Sequence, residues 1–553
     1  MRTLFSAVQL AGIVIILETA FACGGRTDPP PTRAARPNVL LMTIDTLRAD
    51  RVGAISGKLD VTPAIDELAR TGTTFTDATA HVPLTLPSHT SILTGRYPVS
   101  HGVFDNSGFR LRDEVPTLAT VLHGTGYHTA AFVASFVLRP AAGLARGFDV
   151  YDAVREGERR APDVARVAGE WLSSAPTPFF AWVHFYDPHA PYDPPPAFAS
   201  KFRGRLYDGE VATADFGVSA VLDRVPATER ANTMVIVTGD HGESLGEHGE
   251  SEHGVLVYDS TLHVPLVMRG PGVPRGSVVH TQARHVDIAP TIFKVVDVQA
   301  PAGLDGVPLF PTPAAHPSYA ESRFAAIHFG WSPLRSVRDG EWKYIDAPTP
   351  ELYQLTNDPS ESTNMQSTRA ATAAGLAKVL ATLSAHDTPS PSTMHADAAE
   401  RLRSLGYVSS TISLGGAKDG SIDPKRDIGR YEAYVQTFND GLSKLESGRA
   451  AEAEPVFRKL ATQFPQAFEA HQYLARALTA MRRYRDALAE LDVALALAPA
   501  DASLYFDDAQ TLALDGDLDR ADAQLRAGEK LDPASSDASL TKQRLDQLRR
   551  PSR

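Results

Sequence analysis

The stretch Asn38–Ile44 reads NVLLMTI and is followed directly by Asp45. Two further continuous apolar runs occur, FFAWVHF at Phe179–Phe185 and MVIV at residues 234–237. Runs without polar alternation are typical of strands that are buried on both faces of a parallel sheet. These three runs therefore predict the central strands of such a sheet.

Helical segments lie between the apolar runs, for example at residues 64–71 and 117–124. Strands that alternate with helices in this way indicate an α/β fold. Residues 335–345 alternate apolar and polar side chains, as a half-buried strand does. We therefore expect a mostly parallel sheet between helices, accompanied by a small accessory antiparallel sheet.

Composition excludes several kinds of site and partner. The chain has 553 residues, and its net charge is −12 because 66 acidic residues outnumber 54 basic ones. This acidic balance argues against a nucleic-acid partner. The only cysteine is Cys23, which excludes a disulfide framework, a cysteine-based zinc cluster and a cysteine nucleophile later in the chain.

The N-terminal segment has the features of an export signal. Arg2 precedes a mostly apolar stretch at residues 4–17, and small residues precede Cys23. We expect a signal peptide over residues 1–23, a proline-rich linker over residues 24–37, and a place in the bacterial periplasm or cell envelope. A cysteine at this place resembles a lipoprotein processing site, so Cys23 is a candidate lipid anchor to the membrane; the alternative is cleavage without a lipid.

The C-terminal part of the chain carries a repeat of 34 residues, marked by regularly spaced prolines and alanines. The prolines are Pro465, Pro499 and Pro533, and the alanines are Ala453, Ala487 and Ala521. This pattern resembles the tetratricopeptide repeat, in which helical hairpins stack on their neighbours. We expect a linker over residues 409–430 and a repeat domain over residues 431–545 that binds a protein partner.

Polar side chains follow each of the three buried runs. The first run leads to Asp45, the second to the sequence YDPH that ends at His189, and the third to Asp240 and His241. Ligand sites in open α/β sheets lie at the carboxyl ends of the strands, so these side chains are expected to converge. Two carboxylates and an imidazole suit Zn²⁺ or Mn²⁺ better than Ca²⁺. We expect one divalent metal ion.

The candidate nucleophile is Thr85. It lies in the stretch PLTLPSHTSILTGR at residues 83–96, where Pro87 suits the first turn of a helix and Gly95 its end. Free N–H groups at a helix N-terminus favour an anion, and a hydroxyl that touches a divalent metal ionises more easily. The alternative is an ordinary N-cap or turn threonine.

Three of these segments together resemble a known family. The sequences IDTLRAD at residues 44–50, TLPSHTSILTGR at residues 85–96 and GDHG at residues 239–242 are similar to sulfatases and related phosphohydrolases of the alkaline phosphatase superfamily. The resemblance extends over residues 38–408. Softer matches lie at residues 187–192, 287–291, 351–355 and 402–407.

The nucleophile position departs from the sulfatase pattern. Sulfatases read Cys-x-Pro-Ser-Arg there, whereas this chain has Thr85 in place of the cysteine and His89 in place of the arginine. A threonine cannot be the precursor of the formylglycine that sulfatases use. The Thr-x-Pro-x-His version is closer to nucleotide pyrophosphatase/phosphodiesterases, which use a threonine nucleophile.

The resemblance also implies roles for other residues. By position, Asp45, Thr85, Asp240 and His241 would hold one metal ion. His189 matches a histidine that contacts the transferring group or the leaving group.

Two positions differ from those of the relatives. His253 takes the place of a lysine that sulfatases and phosphonate monoester hydrolases often carry, and a histidine titrates near neutrality. Thr46 stands where many sulfatases have a second aspartate. A second metal ion would need further ligands, for which the candidates are Asp187, His189, His248 and His253.

The function that these observations favour is metal-dependent hydrolysis of phosphate esters, either phosphodiesters or phosphonate monoesters. Thr85 would be the nucleophile, with His189, His253 and His89 as further catalytic candidates. The alternatives are hydrolysis of sulfate esters, transfer of a phospho-headgroup to envelope glycans or lipids, and an inactive scaffold that acts through the repeats.

Overall fold

The structure is a computed structural model that describes residues 36–57, 60–154, 157–311, 315–385, 389, 422–499, 501–532 and 536–549. Several predictions lie outside these residues: the signal peptide, the lipid anchor at Cys23, nearly all of the linker over residues 24–37, and the match at residues 402–407. The first part of the predicted second linker, residues 409–421, lies outside them as well.

The N-terminal domain is built on a central sheet of nine strands. They are β1 Asn38–Ile44, β2 Thr73–Thr79, β3 His128–Val133, β4 Val150–Ala153, β5 Phe179–Phe185, β6 Thr233–Gly239, β7 His263–Arg269, β8 Ser277–Val279 and β9 Ala283–Arg284. Their order is β4-β3-β5-β1-β6-β7-β2-β8, and β9 also pairs with β2. All neighbours from β4 to β6 are parallel, and β7 runs antiparallel to both β6 and β2.

The three apolar runs form adjacent strands in the middle of this sheet, as the sequence predicts. β1 lies between β5 and β6, and all seven of its residues are buried. Val39 and Leu41 belong to the core on one face, whereas Leu40 and Met42 belong to the core on the other. Both faces are apolar because successive side chains of a strand point to opposite sides.

Helices cover both faces of the sheet. The described helices of six residues or more in this domain are α1 Pro63–Thr71, α2 Thr85–Thr94, α3 Leu118–Gly124, α4 Ala161–Leu172, α5 Pro196–Lys201, α6 Leu206–Arg224, α7 Ile288–Val295, α8 Phe324–Phe329 and α9 Ala370–Leu383. Buried side chains of α1, α4 and α6 join one core, and those of α2, α3 and α7 join the other. The predicted helices over residues 64–71 and 117–124 correspond to α1 and α3.

The accessory sheet is antiparallel and has four strands in chain order. They are β10 Ser318–Ser322, β11 Leu334–Asp339, β12 Trp342–Asp346 and β13 Glu351–Gln354. The predicted strand at residues 335–345 is in fact two strands, because the chain turns at Gly340, whose φ of 59° suits glycine. Helix α9 packs against this sheet through Leu376 and Leu380.

The C-terminal part forms three helical hairpins and one further helix. These helices are α10 Pro424–Glu446, α11 Ala450–Gln463, α12 Phe468–Ala480, α13 Tyr484–Leu497, α14 Ala502–Asp515, α15 Leu518–Leu531 and α16 Ser536–Arg549. The repeated alanines Ala453, Ala487 and Ala521 are fully buried where the helices cross. Among the described helices, none is long and apolar enough to cross a membrane.

The predicted boundary of the repeat domain needs a correction. Helix α10 begins at Pro424, inside the segment that the sequence predicts as a linker over residues 409–430. The Asp423 side chain accepts a hydrogen bond from the Lys425 backbone at 3.1 Å, and proline suits the first helical turn. These local signals start the helix before the repeat pattern becomes visible.

Helix α10 packs directly on the N-terminal domain. The Phe329 ring of α8 lies 5.2 Å from Tyr434, 5.8 Å from Tyr431 and 6.0 Å from Phe464, measured between ring centroids. Phe329 is only 7% exposed. The N-terminal domain therefore shares one continuous apolar core with the first part of the repeat array, from α10 to α13.

Replacing Phe329 by alanine should destabilise the protein by about 3 kcal/mol, because it leaves a cavity in this shared core. Phe216 is the matched control, since its side chain is 52% exposed, and its replacement by alanine should change stability by less than about 0.5 kcal/mol. Thermal unfolding of both variants measures the difference. Equal shifts of the two midpoints would show that the Phe329 contact contributes nothing.

Candidate active site

The first two acidic residues of the site lie at the ends of neighbouring strands. The Asp45 backbone N–H donates to the Phe185 carbonyl at 2.9 Å, and the Asp240 N–H donates to the Ile44 carbonyl at 3.1 Å. The strand pairing thus continues into both residues. The structure therefore brings Asp45 and Asp240 together at the carboxyl edge of the sheet, as expected.

His241 lies beside these two carboxylates and adds a third possible ligand atom. Its Nδ1 donates to the Gly242 carbonyl at 2.9 Å, so its Nε2 carries a lone pair. That Nε2 lies 3.5 Å from Asp45 Oδ1 and 3.7 Å from Asp240 Oδ2. All three atoms are buried and have no hydrogen-bond partner within the described part of the chain, an arrangement that a shared cation would stabilise.

Burial disfavours the charged form of both Asp240 and His241; a cation would reverse this pKa shift for the carboxylate and reinforce it for the imidazole. Burial raises the pKa of Asp240 well above its usual value, and the charge of Asp45 adds to this shift. It lowers the pKa of His241 well below its usual value, so the imidazole is neutral. The Asp240 carboxylate is aimed by two backbone donors, Thr46 at 3.1 Å and His241 at 2.7 Å. These residues fit one divalent metal ion.

A second group of possible ligands, His89, His184 and Asp240, lies close by. His89 Nδ1 donates to the Thr85 carbonyl at 2.7 Å and so offers no lone pair there. His184 Nδ1 accepts from the Ala134 N–H at 3.3 Å, so its Nε2 carries the proton and faces Asp45 Oδ2 at 3.5 Å. Both histidines are therefore supporting groups rather than metal ligands.

Sequence reasoning missed His184. Burial lowers its pKa to about 3, so it stays neutral beside Asp45. The sequence could have identified His184, because it is the only polar residue in the run FFAWVHF of β5. A histidine in a strand that is buried on both faces must find a buried partner.

Thr85 is the first residue of helix α2 and is fully buried. Its Oγ1 lies 3.5 Å from Asp45 Oδ2, next to the atoms that would hold the metal ion. His89 lies one turn later, and its Nε2 contacts Thr43 Oγ1 at 2.9 Å. Trp182 Nε1 donates to the same hydroxyl at 3.0 Å. With both ring nitrogens occupied by protein groups, His89 supports the turn that carries Thr85.

The helix N-terminus offers fewer free donors than the sequence suggests. The Leu86 N–H donates to Asn106 Oδ1 at 2.8 Å, and Pro87 has no N–H. The expectation of several backbone donors for an anion needs this correction. The Asn106 Nδ2 is buried and has no hydrogen-bond partner among the described residues. Asn106 ends the stretch SHGVFDN at residues 100–106, which also resembles the threonine-nucleophile phosphodiesterases, but the sequence alone assigns it no separate role.

Two further histidines lie beside the cluster. The His253 ring centroid is 4.5 Å from that of His241 and 5.0 Å from that of His189. His189 Nδ1 contacts the Ala190 carbonyl at 2.6 Å, and burial lowers the pKa of His189 to about 4. His189 is 7% exposed, whereas Asp45 and His241 are fully buried. His189 thus lies between the buried cluster and solvent.

His253 is fixed by a buried carboxyl group that the sequence did not single out. Its Nδ1 lies 2.9 Å from Glu243 Oε1, and the Tyr192 hydroxyl donates to Glu243 Oε2 at 3.0 Å. Burial raises the pKa of Glu243 well above its usual value. The sequence could have identified Glu243 by its position, because it directly follows the Asp-His-Gly sequence.

The residues suggested for a second metal ion do not assemble into a ligand set in the described structure. His189 and His253 are neighbours, but Asp187 Oδ1 pairs with Arg160 at 3.2 Å. His248 stacks on Tyr258 with 3.6 Å between ring centroids. Within the described ranges, neither group with metal-ligand geometry contains any of the four candidates.

Comparisons with protein families match this architecture. The sulfatase family model matches residues 37–298, and the model of the C-terminal region of N-sulphoglucosamine sulphohydrolase matches residues 246–386. A tetratricopeptide repeat model matches residues 444–507. These matches cover both the site and the helical array.

The individual relatives have low sequence identity to this chain. The uncharacterized sulfatase YidJ of Escherichia coli (strain K12) is 23% identical over 60% of this chain and 83% of its own length. A Δ4,5-hexuronate-2-O-sulfatase of Bacteroides thetaiotaomicron is 24% identical over 60% of this chain and 84% of its own length.

Among solved structures, the phosphonate monoester hydrolase of Agrobacterium radiobacter superimposes with a TM-score of 0.57 at 22% identity. The match covers 64% of this chain and 96% of that one. The matched N-terminal part is therefore a sulfatase-family hydrolase domain with the alkaline phosphatase-like fold, and tetratricopeptide repeats follow it.

Proposed function

We propose that the protein hydrolyses phosphate esters, either phosphodiesters or phosphonate monoesters, with Thr85 as the nucleophile and one divalent metal ion as cofactor. The observation that carries this proposal is the place of the Thr85 hydroxyl, 3.5 Å from Asp45 Oδ2 at the edge of the ligand cluster. A sulfatase needs a cysteine or serine there to form its aldehyde, and this chain has neither. A threonine hydroxyl instead suits direct attack on phosphorus.

Asp45, Asp240, His241 and the Thr85 hydroxyl would hold the metal ion. When bound, it would favour ionisation of that hydroxyl and offset negative charge on the transferring group. Thr85 Oγ1 would attack phosphorus in line with the leaving oxygen, releasing one alcohol and forming a phosphothreonine that keeps the second ester group (from a phosphonate monoester, a Thr85 phosphonate ester). The buried Nδ2 of Asn106 supports a further role, as the donor to a phosphoryl oxygen.

The leaving oxygen needs a proton, and two histidines are candidates to supply it. The contact with Glu243 holds His253 by Nδ1 and directs Nε2 to the other side of the ring. His189 is held in the same manner, by Nδ1 on the Ala190 carbonyl. Either Nε2 could accept the proton that the Thr85 hydroxyl loses and pass it to the departing oxygen, and could then accept one from the water that hydrolyses the phosphothreonine.

Sulfate ester hydrolysis is the second candidate. It is supported by the family and by relatives such as the hexuronate-2-O-sulfatase. With a formylglycine, the sulfated intermediate collapses by breaking a bond on the modified side chain. Thr85 lacks that exit, so its sulfate ester would need a second displacement at sulfur.

Headgroup transfer and an inactive scaffold differ from hydrolysis in what happens at Thr85. Transfer of a phospho-headgroup would consume the same phosphothreonine with a sugar or lipid hydroxyl in place of water. An inactive scaffold would bind its partner through the repeats without turnover. An intact set of ligands beside Thr85 favours an active enzyme.

The first test is Thr85→Ala. Turnover of an aryl phosphodiester and an aryl phosphonate monoester should fall by about 10⁴-fold or more, because nucleophilic attack is lost. Thr85→Ser is the matched control, since it keeps the hydroxyl and should retain measurable turnover. Activity in the alanine variant equal to that of the wild type would contradict the nucleophile assignment. An aryl sulfate turned over much faster than both phosphorus esters would reverse the ranking of the two functions.

The second test concerns the metal ion. Asp240→Asn should reduce bound metal to well below one ion per chain, because it removes a charged ligand from the buried cluster. Asp223→Asn, on an exposed position, is the control and should leave metal content unchanged. Elemental analysis of both purified variants gives the answer. Equal metal content in the two would show that the cluster is not the binding site.

The third test concerns Asn106. Replacing it by alanine should lower kcat for phosphodiesters by about 10²-fold, by the precedent of a single lost oxyanion donor. Asn106→Asp keeps the acceptor for the Leu86 N–H but removes the donor, so it should be equally impaired. Normal activity in the aspartate variant would mean that Asn106 only supports helix α2.

A further inference from the structure

His253 lies at the end of a loop, residues 244–253, which we call the His253 loop. Two backbone hydrogen bonds close it, from the Ser244 N–H to the Glu252 carbonyl at 2.6 Å and from the Gly246 N–H to the Glu250 carbonyl at 3.1 Å. The Glu250 side chain anchors the following residues by accepting from the Val255 N–H at 2.8 Å. The position of His253 therefore depends on how this loop is held.

The first helix of the repeat array contacts the outer side of this loop. Glu432 of α10 accepts a hydrogen bond from the Ser251 N–H at 2.9 Å. Ile428, one turn earlier, packs on Gly249, where an added Cβ would lie 3.1 Å from its Cγ2. Gly249 has a φ of 84°, so glycine serves both the turn and the close approach of the helix.

Helix α10 is itself fixed to the N-terminal domain at its beginning. Asp423 Oδ2 accepts from the Thr349 N–H at 3.0 Å, and Lys425 donates to the Thr349 carbonyl at 3.0 Å. Further along, Tyr431 and Tyr434 pack on Phe329. Anchored at both places, the helix presents Glu432 to the loop in a defined position.

We propose that helix α10 is a structural part of the active site, and that Glu432 is a positioning residue that holds His253 through the Ser251 backbone. The contact between Glu243 and His253 holds the loop on its inner side, and the hydrogen bond from Ser251 to Glu432 holds it on its outer side. The repeat array then does more than recruit a partner, because its first helix sets the geometry of a catalytic candidate. This inference rests on the proposed role of His253 in phosphate ester hydrolysis.

The test compares three full-length variants. Glu432→Ala removes the acceptor, Glu432→Gln keeps a neutral acceptor, and Glu446→Ala removes an exposed carboxylate from the same helix as a control. Hydrogen–deuterium exchange of the His253 loop and the steady-state kinetics of an aryl phosphodiester are measured on each. A carboxylate that accepts from a backbone N–H makes a stronger hydrogen bond than a neutral acceptor does, so the glutamine variant should be intermediate.

For Glu432→Ala we expect loop amides to exchange at least 10-fold faster and kcat to fall about 10-fold with little change in KM, since small misplacements of reacting groups are costly. The glutamine variant should recover most of both losses, and Glu446→Ala should match the wild type. Unchanged loop exchange in Glu432→Ala would overturn the proposal. Faster exchange with unchanged kcat would overturn it too, because the loop would then not position a catalytic group.

The exchange measurement does not need turnover, so the two hypotheses can fail separately. If the wild type hydrolyses no phosphorus ester, the proposed function fails. Hydrogen–deuterium exchange of the loop then still shows whether Glu432 holds the His253 loop in place. In that case metal content and exchange of helix α2 in Glu432→Ala should stay at wild-type levels. A loss of both would show a general disruption of the fold and would also overturn a specific role for Glu432.

Discussion

Two buried carboxylates and one neutral imidazole share a small volume at the carboxyl edge of the central sheet, and their unpartnered lone pairs all point inward. His241 Nε2 lies 3.5 Å from Asp45 Oδ1 and 3.7 Å from Asp240 Oδ2. Burying such charges without compensation costs several kcal/mol per ion. A divalent cation would offset this cost, and the rest of the site is arranged around the cluster.

The surrounding groups fix the orientation of the cluster. Backbone donors aim Asp240, the protonated edge of His184 faces Asp45, and His89 holds the turn that carries Thr85. The nucleophile candidate, Asn106 and the two outer histidines then lie around one point. This arrangement can support in-line displacement at phosphorus, and it departs from the sulfatase pattern at Thr46, Thr85, His89 and His253.

The sequence was sufficient to predict the sheet and the ligand cluster for a physical reason. Uninterrupted apolar runs identify strands that are buried on both faces, and polar residues directly after them must meet at one sheet edge. Asn106, Glu243 and His184 were not predicted, because their roles depend on side-chain contacts across the fold that no local periodicity encodes. The start of α10 was misplaced because its capping residues lie outside the repeat pattern.

The sequence also does not show that the repeat array packs on the hydrolase domain. Aromatic packing around Phe329 joins them, and a repeat pattern reports only how helices stack on each other. The contact of α10 with the His253 loop brings the two parts together near the site.

A threonine nucleophile that attacks phosphorus becomes covalently modified during each turnover. The most direct measurement is mass spectrometry of the enzyme after acid quenching during turnover of an aryl phosphodiester, with peptide mapping of the adduct. We expect a phosphoryl group on Thr85. A modification on any other residue would contradict the assignment of Thr85. An unmodified chain would contradict it too, when the sample is quenched under conditions in which breakdown of the intermediate limits the rate.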